Sequence, residues 1–193
     1  MLDTHARKYV QPIFQRSAKG LLKIGLSANQ TTVISFVIGI TTGVFIYFDY
    51  TVLALVALWT SGFLDAVDGT MARLTKPSPF GTVLDVTFDR IVEISVILGL
   101  AFRYPEAMWS LLLLSVSIIV AMTIFLTVGA VTEKEGIKSF YYQPGLAERT
   151  EGFLLFSAMM IFTNVLVWLT LLFLVIEIFT TVQRLLEAKR ILS

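Results

Sequence analysis

The sequence predicts an all-α, polytopic membrane protein, with six transmembrane helices behind an N-terminal amphipathic interfacial helix. Three observations carry that expectation. Of the 193 residues 56% are hydrophobic, and mean hydropathy is +0.80, a composition that soluble globular domains do not show. The apolar residues fall in runs close to the ~20 residues that a helix needs to cross a hydrocarbon core ~30 Å thick. With six spans, thirteen of the fifteen Lys and Arg fall on one side of the membrane, the bias expected of cytoplasmic segments. Cysteine is absent, which excludes a disulfide framework and a thiolate metal site. No nucleic-acid motif, low-complexity tract or dividing linker is visible, and no cleavable signal peptide. The expectation is therefore one membrane domain over residues 1–193, with both termini cytoplasmic.

The elements follow in order. Residues 3–24, within a juxtamembrane segment 1–26, read as an amphipathic helix. Val10, Ile13, Phe14, Ser17, Leu21 and Ile24 recur at three-to-four spacing, with Arg7, Lys8, Arg16, Lys19 and Lys23 as the basic part. Such a helix suits an anionic lipid surface, or equally a seat on the protein's own core. Residues 25–30 break it, and Ser27 or Asn29 is the expected N-cap of the next helix. The first span is expected over Thr31–Phe48, the second over Thr51–Arg73, the third over Gly81–Arg103 and the fourth over Met108–Val131. Thr132–Arg149 holds Gly136, Pro144 and Gly145 and reads as a cytoplasmic loop. The fifth span starts near Leu146 and ends near Phe162. The sixth runs from Val165 to a basic end at Arg184, Lys189 and Arg190. Only Thr163–Asn164 divides the last two, because one unbroken helix would exceed the bilayer core.

The second and third spans hold the chemistry. Four aspartates, Asp65, Asp68, Asp85 and Asp89, lie in apolar surroundings, where each charge costs about 2.5–3.5 kcal/mol on insertion scales. Depths can be counted inward from the short loop between the spans, at about 1.5 Å per residue. Asp68 and Asp85 then sit roughly 6–7 Å deep, and Asp65 and Asp89 roughly 12 Å. The i, i+3 and i, i+4 spacings give each pair one helix face. If the faces meet, four carboxylates converge just below the cytoplasmic interface. Oxygen-only ligands suit Mg²⁺, Mn²⁺ or Ca²⁺ rather than zinc. Two such ions about 3.5–4 Å apart would serve phosphoryl transfer. Gly69 and Ala72 leave room on the aspartate face, and Arg73 stands near the interface, where a phosphate would meet it.

The run reads Asp65-Ala-Val-Asp68-Gly69-Thr-Met-Ala72-Arg73, seven residues, then Gly81-Thr-Val-Leu-Asp85-Val-Thr-Phe-Asp89. It resembles the signature of the CDP-alcohol phosphatidyltransferases, D-x2-D-G-x2-A-R followed by G-x3-D-x3-D, at every fixed position. The resemblance implies an enzyme of phospholipid biosynthesis, one that moves a phosphatidyl group from a CDP-linked lipid of the CDP-diacylglycerol type to an alcohol and releases CMP. It implies Asp65, Asp68 and Asp85 as ligands of Mg²⁺ or Mn²⁺, and Asp89 as a further ligand or the general base. Asp68, Gly69, Ala72, Arg73 and Gly81 would border the CDP moiety. Members of the family are commonly homodimers, so a second copy is the expected partner besides substrate and membrane lipid.

The acceptor is expected to be a phosphorylated polyol. Lys134, Lys138 and Arg149 form a cytoplasmic cationic set, and Gly145-Leu-Ala-Glu148-Arg149-Thr-Glu151 resembles a segment of family members that use such acceptors. Two other readings compete. One is a divalent-cation or proton transporter using the same acids; clustering of the aspartates toward one side disfavours a pore. The other is transfer from a soluble CDP-alcohol to diacylglycerol, carried out by enzymes that are usually longer. Glu93 continues the Asp85–Asp89 face one turn deeper, with Arg90 as its expected counter-charge.

Overall fold

The computed structural model describes residues 2–132 and 149–192, and of residues 2–9 only the backbone. Every described element is helical. The order is α1 (Leu2–Lys23), α2 (Ala28–Tyr47), α3 (Thr51–Leu74), α4 (Pro79–Arg103), α5 (Met108–Val131), α6 (Arg149–Ile161) and α7 (Leu166–Leu192), with 3₁₀ turns at Pro105–Ala107 and Thr163–Val165. The chain divides into two compact units: His5–Pro105, and Glu106–Ser193 grouped with Met1–Thr4.

Among the described residues, four segments are long and apolar enough to cross a membrane: Ala28–Tyr47, Thr51–Leu74, Pro105–Val131 and Thr163–Leu192. The chain is thus an integral membrane protein by composition. Of the other two expected spans, helix α4 is 25 residues long but carries Asp85, Asp89, Arg90 and Glu93, and α6 has 13 described residues.

In the first unit, local chemistry sets the helix ends. Ser27 caps α2 in a capping box: its Oγ accepts the Gln30 N–H at 3.3 Å, while Gln30 Oε1 accepts the Ser27 N–H at 2.9 Å. Helix α4 opens at Pro79 rather than at Gly81. Ser78 is its N-cap, accepting the Gly81 N–H at 3.0 Å, and proline suits the first turn because its missing N–H would go unused there. Between α2 and α3, Asp49 adopts φ +65°, a left-handed conformation that Asp tolerates better than most residues. Arg103 at the end of α4 donates to Asp49 Oδ2 at 3.0 Å, tying that turn to a third helix.

Helix α2 is the spine of this unit. Helices α3 and α4 each pack along it. Thr31, Ser35, Gly39 and Gly43 recur every four residues along α2 and are all buried. Thr31 Oγ1 donates to Met71 Sδ at 3.4 Å, and Ser35 Oγ donates to the Ser61 carbonyl at 2.8 Å, both on α3. Toward α4, Phe36 stacks on Phe88 with ring centroids 4.0 Å apart. A methyl group at Gly39 would lie 2.5 Å from Val92 Cγ2 on α4 and 2.6 Å from Ser61 Oγ on α3, so glycine is needed where all three helices meet. Small residues permit this close approach, the usual basis of helix association in lipid.

Helix α1 lies on α3 through part of the expected stripe, Phe14 and Leu21, centred on Ala18. Ala18 is fully buried with Val67 and Met71, flanked by Phe14, Leu21 and Leu22, whereas Ile13 and Ile24 are 58% and 73% exposed. The alanine has too small a side chain to stand out in a hydropathy pattern, yet its size is what lets α1 seat closely.

In the second unit α5 and α7 pack along one another. Arg184, in the basic end of α7, is only 8% exposed, and its guanidinium lies 4.9 Å from the Phe125 ring centroid on α5. Phe156 of α6 meets Phe173 of α7 edge-on at 5.2 Å. The expected division of the last two spans at Thr163–Asn164 falls on the 3₁₀ turn.

Candidate metal and nucleotide site

Helix α3 presents Asp65 and Asp68 three residues apart, and α4 presents Asp85. Each offers one carboxylate oxygen, and the three oxygens lie within 4.8 Å of one another. Asp68 is buried at 3% exposure, while Asp65 and Asp85 are half-buried. Both helices pack along α2.

The donor set fits a hard divalent cation. Oxygen ligands stand about 2.0–2.6 Å from Mg²⁺ or Ca²⁺, so two of them on one ion are at most roughly 4–5 Å apart. Three converging carboxylates in an apolar bundle also carry a charge that a cation would offset. Asp89 lies one turn beyond Asp85 on α4, half-buried, and is not part of the three-oxygen group.

The residues between the aspartates leave space on one side of the cluster. A methyl group at Gly69 would meet only the Arg73 guanidinium, at 3.5 Å. Arg73 is exposed and folds back along α3, its Nη2 donating to Thr70 Oγ1 at 2.9 Å. Ala72 beside it is half-buried. Gly81 is half-buried in the first turn of α4, where a side chain would collide with Asn29: a methyl there would lie 2.8 Å from Asn29 Oδ1 and 3.0 Å from Ser78 Oγ. Asn29 therefore stands at the mouth of the aspartate hairpin. Its sequence position, at the start of an ordinary apolar helix, suggested only a cap, and that capping role belongs to Ser27.

Of the three acceptor candidates, Arg149 alone falls among the described residues. Lys134 and Lys138 lie outside them. Arg149, the first described residue of α6, is half-buried in the second unit, with its guanidinium 5.4 Å from the Phe153 ring centroid. The expected counter-charge of Glu93 is present: Arg90 Nη1 lies 2.6 Å from Glu93 Oε2.

Comparison with known proteins agrees with the motif. Residues 26–183 match the family model of the CDP-alcohol phosphatidyltransferases. The archaetidylinositol phosphate synthase of Pyrococcus horikoshii is 39% identical over 102 residues, covering 52% of this chain and 54% of that protein; the chain thus spans about half the length of this relative. The inner membrane protein YnjF of Escherichia coli is 30% identical over 81% of this chain and 80% of its own. The phosphatidylinositol phosphate synthase of Corynebacterium glutamicum is 32% identical over 78% and 70%. In fold, the chain is similar to the phosphatidylinositol phosphate synthase of Mycobacterium tuberculosis crystallised with CDP-DAG bound, at TM-score 0.77 and 23% identity over 92% of this chain and 94% of that one. A second crystal structure of that protein, in complex with manganese and citrate, matches at TM-score 0.76 and 23% identity over 91% and 88%. With the eight motif positions in place, three of their carboxylates converging and the family model covering most of its length, the chain belongs to the CDP-alcohol phosphatidyltransferase family.

Proposed function

We propose that this protein transfers a phosphatidyl group from a CDP-linked lipid of the CDP-diacylglycerol type to the hydroxyl of a phosphorylated polyol, releasing CMP. The observation that carries the proposal is the convergence of Asp65, Asp68 and Asp85 from two helices onto one cluster. Asp65, Asp68 and Asp85 would hold Mg²⁺ or Mn²⁺, with Asp89 as a further ligand when two ions bind. The bound cation supplies charge compensation to the pyrophosphate and to the departing CMP.

The chain's own residues supply the rest. Gly69, Ala72 and Gly81 give the nucleotide an open face on α3 and α4, and Asn29 borders it. Arg73 donates to a phosphate oxygen. The acceptor oxygen forms a bond to the lipid-bearing phosphorus, the bridging P–O bond to CMP breaks, and the hydroxyl proton passes to the Asp89 carboxylate. Lys134, Lys138 and Arg149 bind the acceptor's own phosphate. The names of the archaeal and Corynebacterium relatives point to inositol phosphate as that acceptor.

The same proposal has α4 and α6 completing six membrane spans, residues 1–193 working as one domain, and α1 resting its basic face on the lipid surface. By the Lys and Arg distribution, the termini and the aspartates face the cytoplasm. A second copy of the chain is the proposed partner.

The test is CMP release by the purified protein. It is supplied with CDP-diacylglycerol and, in turn, inositol phosphate, glycerol 3-phosphate, inositol and serine. Release with a phosphorylated polyol is expected. Absence of release with every acceptor, in Mg²⁺ and in Mn²⁺, overturns the proposal.

A further inference from the structure

Where α5 and α7 begin, the second unit holds a cavity of about 280 Å³. Glu106 and Ala107 of the first 3₁₀ turn line it, with Thr163 and Asn164 of the second and Leu166 and Trp168 of α7. All belong to one compact unit, and none to the aspartate motif. Glu106 is the only charged residue of the lining. Among the described residues its carboxylate has no ion pair, and the Thr163 hydroxyl and Asn164 amide make no hydrogen bond. The nearest base along the chain, Arg103, is engaged by Asp49 at 3.0 Å. Trp109 in the first turn of α5 and Trp168 in the first turn of α7 are 78% and 73% exposed. Tryptophan gathers at the membrane–water boundary, the depth of lipid head groups. From Trp168 an exposed apolar row runs along α7 through Leu172, Val175 and Phe179. The row keeps to one helix face, about 16 Å long at about 1.5 Å per residue.

We infer that this cavity seats the ammonium head group of a zwitterionic membrane phospholipid. The Glu106 carboxylate accepts hydrogen bonds from the ammonium, and the Trp168 ring face attracts the same cation. The Thr163 hydroxyl and the Asn164 amide donate to the phosphodiester oxygens beside it. An acyl chain follows the apolar row on α7. A head group with a phosphate and no amine brings only negative charge to a lining whose one charge is negative. The volume lies near the lower end of the ~300–1,000 Å³ range of small-ligand pockets, which suits a head group rather than a whole lipid. A lipid held here joins the start of α5 to the start of α7. The site is independent of the transferase reading and needs neither metal nor CDP-lipid.

The experiment is native mass spectrometry of the purified full-length chain, released from micelles that hold equal amounts of phosphatidylethanolamine and phosphatidylglycerol with identical acyl chains. The parent should retain the amine lipid over the anionic one by about fivefold, the combined worth of an exposed ion pair and an exposed cation–π contact. Glu106→Gln should bring the ratio close to one, and Glu106→Lys should invert it. Glu106 is exposed, so circular dichroism should be unchanged in both variants. Free phosphoethanolamine in excess should not displace the lipid, because it has no chain to lie on α7. An equal ratio in the parent overturns the proposal, as does a parental ratio in either Glu106 variant. Displacement by free phosphoethanolamine overturns the assignment to a lipid.

Discussion

Gly43 and Gly99 bring α2 and α4 into backbone contact. A methyl group at Gly99 would lie 2.5 Å from the Gly43 carbonyl oxygen and 2.9 Å from its Cα, and one at Gly43 would fall on the Ser95 carbonyl. No rotamer change relieves a clash with backbone, so any side chain here pushes the helices apart. The contact lies four residues beyond Gly39 on α2, and it sets how closely α4 approaches α2 there.

Gly43→Ala should therefore act on both stability and the aspartate cluster. Overpacking typically costs about 1–3 kcal/mol. A lower thermal midpoint and weaker Mn²⁺ binding are expected together. Gly20 on α1 is the control: nothing lies within 4 Å of a methyl there. Gly20→Ala should be neutral or slightly stabilising, since alanine is the better helix former. If Gly43→Ala melts and binds Mn²⁺ as the parent does, the backbone contact does not position α4.

The carboxylate cluster predicts metal dependence. CMP release should vanish in EDTA and return with Mg²⁺ or Mn²⁺. Asp65→Asn, Asp68→Asn and Asp85→Asn should each nearly abolish it while circular dichroism and the oligomer profile stay unchanged. Any one of them that keeps a near-parental rate with unchanged metal dependence is not a ligand.

Asp89 stands apart from the three-oxygen group, which separates its expected behaviour from theirs. As the base, it is needed when the acceptor hydroxyl loses its proton and not when the CDP-lipid binds. Asp89→Asn should cut turnover by 10²-fold or more, in line with general-base contributions. CDP-lipid affinity, measured by calorimetry, should stay within a few-fold of the parent. A fall in affinity matching that of Asp68→Asn would make Asp89 a metal ligand first.

The distribution of information between sequence and structure follows from interaction range. Asp65, Asp68 and Asp85 were legible because buried charge is costly, and the helical repeat orders their faces without knowledge of tertiary contacts. Met108–Val131 was legible for a similar reason: it is a long apolar run with clear ends, and α5 occupies those residues. Asn29 was not, because its relation to Gly81 spans 52 residues and depends on how α2 leans on α4. The buried stripe Thr31, Ser35, Gly39, Gly43 is visible in the sequence as small residues at four-residue spacing, but the partner helices are not encoded in that spacing. Arg184 reads as one more base in a charged tail; only its seat against Phe125 distinguishes it from Lys189 and Arg190.

Arg149 carries the prediction about the acceptor. It is the first described residue of α6. An acceptor bearing a phosphate reaches the enzyme as a dianion while a CDP pyrophosphate is also bound, so cationic side chains must offset charge the aspartate-bound cations cannot. Arginine can grip a phosphate with two parallel hydrogen bonds, and lysine offers only a point charge. Arg149→Lys keeps the charge and removes the fork. A hydrogen bond to a charged group is worth about 1.5–3 kcal/mol, so the acceptor KM should rise on the order of ten- to a hundred-fold. The KM for the CDP-lipid should barely change, since that substrate is held by α3 and α4. Steady-state kinetics with each substrate varied in turn separate the two. An unmoved acceptor KM, or a neutral alcohol such as serine as the best substrate, would show that no phosphate is recognised at Arg149. The aspartate cluster would be untouched by that result, because it depends on other residues and on a different step of the reaction.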